Sequence, residues 1–162
     1  MIDWVFIAIA MALGGNGQAD SGPAIAAEAA PTQDAAFVAE PQEPSGKFTT
    51  ATEVKPILGM TRGNWVAVRE YDGQDLLYFT HLLSWRCGLH QIRYSLNDGP
   101  MQVWPMPPCL EGTATPNAIL TDEGLPYIAQ PLGSIGSVTV ELLYDDLTEE
   151  SAAFSRSDVL MP

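Results

Sequence analysis

The groups whose type and spacing could amount to a reactive site are two histidines, His81 and His90, two cysteines, Cys87 and Cys109, and a run of carboxylates at Glu141, Asp145, Asp146, Glu149 and Glu150. Paired imidazoles could hold a metal or divide the roles of base and partner. The strand pattern around them argues against sharing. With a two-residue turn at Cys87-Gly88, His81 stands opposite Tyr94, and His90 is then four residues along, roughly 13 Å away. A slipped register sends the rings to opposite faces. Cys87 and Cys109 are too far apart in sequence for a Cys-x-x-Cys redox pair, and two thiols alone make no zinc site. An even count in an exported chain predicts a Cys87–Cys109 bridge instead. In the chain-entropy model, closing a loop of about 20 residues contributes about 3 kcal/mol. The carboxylates lack the tight spacing and bending glycine of a calcium loop and read as a solvated charged turn. The sequence contains no Gly-x-Ser-x-Gly elbow, His-Glu-x-x-His zinc motif, phosphate loop or dinucleotide fingerprint, so neither a metal nor a cofactor is expected.

The elements that would carry these groups are strands. After Gly63 the apolar spacing changes from helix-like to alternating. Turn signals at Asp72-Gly73, Cys87-Gly88 and Asp98-Gly99 separate the runs Trp65–Tyr71, Leu76–Arg86, Leu89–Leu96 and Met101–Trp104. A first loop over Asp72–Asp75 sets Val66 and Val68 on the face of Leu77 and Phe79. The second turn adds Leu83, Trp85, Ile92, Tyr94 and Leu96 to that face, and the third adds Met101 and Val103. A one-residue slip in any turn would break this surface. Ser137–Tyr144 alternates cleanly and turns through Asp145–Thr148 into Ser151–Arg156, where Ala152 and Phe154 face Leu142 and Val140. Gly124–Leu132 suits an edge strand because of Pro126 and Pro131. Thr52 to Gly59 or Gly63 reads as a short helix, with Pro56 in its first turn. The expected fold is all-β: a small sandwich built on a four-stranded antiparallel meander plus a C-terminal hairpin, with a partly open barrel as the alternative.

This register selects a surface. Arg93 lies directly across from Trp104, suited to cation–π contact, with Gln102 and Met106 on the same outer face. An exposed Trp beside Arg and Met is the composition of a recognition site. The competing placement puts Trp104 under the Pro105–Pro108 crossing or the opening helix. His81 interrupts the apolar face and reads as a hydrogen-bonded core or rim residue, and His90 as an exposed one. A hydrolase with His81 as base would draw on Tyr78, Ser84 or an acid, but the strand places Tyr78 and Ser84 on the face opposite His81.

The front of the chain bears on compartment. Trp4–Leu13 is an apolar run, and Gly17 with Ala19 fits a signal-peptide cut before Asp20, giving a leader over 1–19. No Lys or Arg precedes Lys47. The run is too short for the roughly 30 Å hydrocarbon core, so membrane contact is expected only if residues 4–13 are retained as a tether. An ordinary buried helix is the third option. Residues 20–46, rich in Ala, Pro and acids, read as a disordered spacer ahead of a single domain over 47–162. With 20 acidic against 7 basic residues, net charge −13, nucleic acid is disfavoured as a partner. The expectation is a periplasmic or secreted non-catalytic module that binds a protein or another envelope component. The alternatives are the His81 hydrolase and a membrane-tethered accessory subunit.

Overall fold

The computed structural model describes residues 37–162. The leader 1–19 and residues 20–36 of the expected spacer lie outside the described residues. The elements are α1 (Ala51–Met60), β1 (Ala67–Tyr71), β2 (Gln74–Tyr78), α2 (Thr80–Leu83), β3 (Leu89–Leu96), β4 (Gln102–Val103), β5 (Tyr127–Pro131), β6 (Ser137–Tyr144), β7 (Glu149–Ser155) and α3 (Arg156–Val159). Strands dominate, in two antiparallel sheets ordered β1-β2-β5 and β4-β3-β6-β7. No helix among the described residues is long and apolar enough to cross a membrane.

Each expected turn meets a different outcome. Asp72 and Gly73 both adopt positive φ, 51° and 72°, in a two-residue turn that pairs Tyr71 with Gln74. The register therefore differs by two residues from that of a loop over Asp72–Asp75. An even shift keeps every side chain on its face, so Val68 and Leu77 pair inward and are fully buried. The second turn does not exist as a hairpin. β2 ends at Tyr78, and the chain coils through α2 and a 3-10 turn at Arg86–Gly88 before β3, which belongs to the other sheet. Leu82 and Leu83 explain the break: both are buried, which a helical turn permits and strand alternation does not. The meander is thus divided between two sheets, and Leu77, Phe79, Leu83, Ile92 and Tyr94 meet in one core nonetheless.

The third turn begins one residue early and takes three residues, Asn97–Gly99, rather than two. Asn97 and Asp98 take positive φ, 53° and 57°, and Gly99 N–H bonds to the Leu96 carbonyl at 2.9 Å. Arg93 consequently pairs with Val103, not Trp104. This odd shift exposes Met101 and Val103, which were expected inside, and buries Trp104.

The second half of the chain follows its alternation. Val138, Val140, Leu142 and Tyr144 of β6 are buried, and Ala152 and Phe154 of β7 pair with Val140 and Val138. β5 lies at the edge of the three-stranded sheet. α1 starts one residue before Thr52, with Thr50 as its N-cap, and Pro56 lies in its interior rather than its first turn. The helix presses Val54 and Leu58 into the core, so close to Gly88 that an added Cβ there would stand 2.4 Å from Val54 Cγ2 and 2.9 Å from the Thr50 carbonyl oxygen. Cys87 and Cys109 are bonded, with Cα atoms 5.0 Å apart.

Residues 37–46, expected as spacer, run along the domain. Glu40 N–H bonds to the Asp145 carbonyl at 2.8 Å, and Gln42 bridges Asp145 Oδ1 and the Thr52 amide at 2.9 Å each. His90 donates from Nε2 to the Val38 carbonyl at 2.8 Å and stacks on Phe37 at 5.0 Å. It is a docking residue, not a bystander. A short apolar pair, Phe37-Val38, is what a composition dominated by Ala and Pro concealed.

Candidate functional site

The four residues selected from sequence do not share a face. Arg93 projects from the outer side of the β3–β4 pair, where it meets Glu141 at 2.7 Å and Glu149 at 3.9 Å. Gln102 and Trp104 fall on the other side, because the early turn reverses β4. Gln102 is exposed and accepts from the Tyr94 hydroxyl at 3.3 Å. Trp104 is only 4% exposed and stacks on Phe79 with ring centroids 4.2 Å apart. Met106 is half-buried and packs against the core. The expected cation–π contact of Arg93 with Trp104 does not form; among the described residues such contacts join Lys55 to Tyr144, Arg62 to Trp65 and Arg69 to Tyr71, the last at 4.9 Å.

A cavity of about 500 Å³ opens beside the three-stranded sheet. β1 and β2 alternate, so Val68 and Leu77 go to the core while Ala67, Arg69 and Tyr78 go to the opposite face. Asn64 and Trp65 close one side, and Thr80, His81 and Ser84 of α2 and its cap close another. The break in β2 is what builds this site. On a strand, His81 and Ser84 would face apart; on a helical turn, three residues bring them to one side.

Charge distribution singles out Arg69. In this acidic chain the other cations are already engaged: Lys55 with Asp146, Arg62 with Glu150, Arg93 with Glu141, and Arg156 with Asp75 and Glu70. Lys47 bonds to the Thr113 carbonyl. Arg86, 1% exposed, donates to the carbonyls of Leu83, Pro107, Pro108, Asn117 and Ala118. Among the described residues Arg69 has neither a carboxylate nor a hydrogen-bond acceptor, only the Tyr71 ring.

His81 is held in a fixed state. The single hydroxyl proton of Thr61 goes to the Ile57 carbonyl at 2.7 Å, so the contact from His81 Nε2 at 2.8 Å must be a donation from the ring. Nδ1 then carries the lone pair. Burial pushes the imidazole pKa down and keeps it neutral. The Ser84 hydroxyl donates to the Thr80 carbonyl at 2.9 Å, which leaves it no proton to share with His81. The pocket thus offers a guanidinium, a phenol, an amide and a neutral imidazole around a largely apolar floor. No group of three or more His, Cys, Asp or Glu side chains among the described residues could hold a metal ion.

No model of a known protein family matches the chain, nor does any curated protein or solved structure. What these observations define is a class: a mostly-β, disulfide-bonded domain with a mixed polar and apolar pocket. Sequence reading missed Arg69 and Arg86. Neither carries a motif. For Arg69 the available signal was its alternation with Val68, and for Arg86 its contiguity with the Cys87 bridge.

Proposed function

We propose that the protein is a non-catalytic recognition domain, periplasmic or secreted, whose pocket takes a ligand with an apolar body and a carboxylate. The disulfide accords with an oxidising compartment, and the apolar run with its small residues accords with export. The observation that carries the ligand class is Arg69: an uncommitted guanidinium at the mouth of a 500 Å³ cavity, in a chain whose other basic side chains are engaged. Guanidinium meets carboxylate with two parallel charge-assisted bonds, and Tyr78 supplies aromatic wall. Calorimetric titration with aryl and alkyl carboxylates, each against its neutral amide, tests the reading. Carboxylates should bind at least about tenfold more tightly than their amides, and Arg69→Gln should abolish the difference. Equal binding of acid and amide would refute it.

The hydrolase reading gains one observation, the convergence of His81 and Ser84 on this pocket through α2. A nucleophile–base hydrogen bond is what it lacks, since both partners are engaged elsewhere. Turnover of an activated aryl ester, lost in both His81→Ala and Ser84→Ala, would favour it over the binding role.

A further inference from the structure

A second cavity, of about 290 Å³, lies where the Pro105–Pro108 crossing meets the segment leading into β5. Trp104, Pro105, Ile119, Leu125 and Tyr127 give it an apolar lining, and Glu123 faces it from the short 3-10 turn Thr121–Glu123. Two buried polar atoms on lining residues have no hydrogen-bond partner: the indole Nε1 of Trp104 and Oε2 of Glu123. One can only donate and the other, as carboxylate, can only accept. Native structures rarely leave such groups unmet, because each costs on the order of a hydrogen bond. Both atoms are shielded from solvent behind the apolar lining, and a ligand seated there with one acceptor and one donor would satisfy the pair.

Arg86 lies within electrostatic reach of Glu123. Its guanidinium bonds go to backbone carbonyls, and while burial lowers its proton affinity, the Glu123 charge partly restores it. Arg86 therefore tempers the field at Glu123 without bonding to Oε2. A donor that reaches Oε2 directly gains most if it is itself charged, since charge-assisted bonds are about twice as strong as neutral ones. The overall charge of −13 also concentrates cations around the protein.

We infer that this cavity binds a small apolar ammonium compound with a neighbouring carbonyl, as found at the N-terminus of a peptide or in an amino-acid amide. The ammonium bonds to Glu123, the carbonyl accepts from the Trp104 indole, and the side chain fills the Pro- and Ile-lined space. The site is separate from the Arg69 pocket and favours the opposite charge, so Arg69→Gln leaves it intact.

The test is titration of the ¹⁵N-labelled protein with leucinamide, Leu-Gly-Gly and N-acetyl-leucinamide, reading the indole N–H signal of Trp104 assigned by its loss in Trp104→Phe. The signal should move with either of the first two; the tighter one identifies a free amine or a peptide end as the natural source. Acetylation and Glu123→Gln should each weaken binding about tenfold. Glu123 is half-buried outside the core, so that variant stands even if Trp104→Phe fails to fold. No shift with either amine at about 10 mM would overturn the inference. So would equal binding of the acetylated compound, or binding unchanged by Glu123→Gln.

Discussion

Asp75 is fully buried and held from three sides. Arg156 reaches both of its oxygens, at 2.6 and 3.0 Å, and the amides of Gly133 and Ile135 donate at 3.0 and 3.1 Å. Arg156 is the main cause of a carboxyl pKa held well below the ordinary range, against the opposing effect of burial. In the unfolded chain the same group titrates near 4. The folded state therefore binds fewer protons at mild acidity, and the stabilisation is complete above about pH 4 and lost as pH falls below it. Urea midpoints between about pH 6 and pH 2 should fall for the wild type, and the acid-induced part should be smaller in Asp75→Asn. A parallel decline in both proteins would assign the acid sensitivity elsewhere. His81 acts in a higher window. Its lowered pKa means that the unfolded chain takes up a proton first, so its contribution declines as pH drops below about 6.5.

Elements are positioned here by a few backbone approaches. α1 meets the 3-10 turn before β3 at Gly88, where Val54 and the Thr50 carbonyl leave no room for a methyl group. Gly88→Ala should destabilise by about 2 kcal/mol in chemical denaturation, because backbone must move and not only a side chain. An unaffected midpoint would mean that α1 shifts freely. The faces of β1, β2, β6 and β7 were legible in the sequence, because alternation survives any even register shift: both the Asp72-Gly73 and Asp145–Thr148 turns left their faces intact. What misled was turn chemistry. Asn97 tolerates positive φ nearly as well as Gly, and its side chain is fixed by the amides of Gly136 and Ser137 and the Ser134 carbonyl. Those contacts come from a segment some forty residues on, and no local pattern reports them. They start the turn at Asn97 and stretch it to three residues, which shifts the register by one and carries Trp104 to the other face. Likewise the pocket around His81 depends on α2, whose only sequence mark is the adjacent pair Leu82-Leu83.

At the scale of the molecule, two sheets and three helices share a core, and the irregular stretch from Pro105 to Ala118 is held beside it by Arg86 and by the disulfide. These are independent attachments of different chemistry. Replacing both cysteines by Ser should cost about 3 kcal/mol, and the variant should retain the native near-ultraviolet circular dichroism, because the guanidinium still gathers the same carbonyls. Loss of that spectrum would show that the bridge alone shapes the crossing. The double fastening has a kinetic corollary. When a reductant opens the bond, the two thiols are kept as neighbours, and their effective molarity is that of an intramolecular reaction. Once a small-molecule disulfide has oxidised one cysteine to a mixed disulfide, releasing one small thiol, the other cysteine should displace the second small thiol quickly and independently of protein dilution, so that the native bond returns as soon as the surroundings turn oxidising.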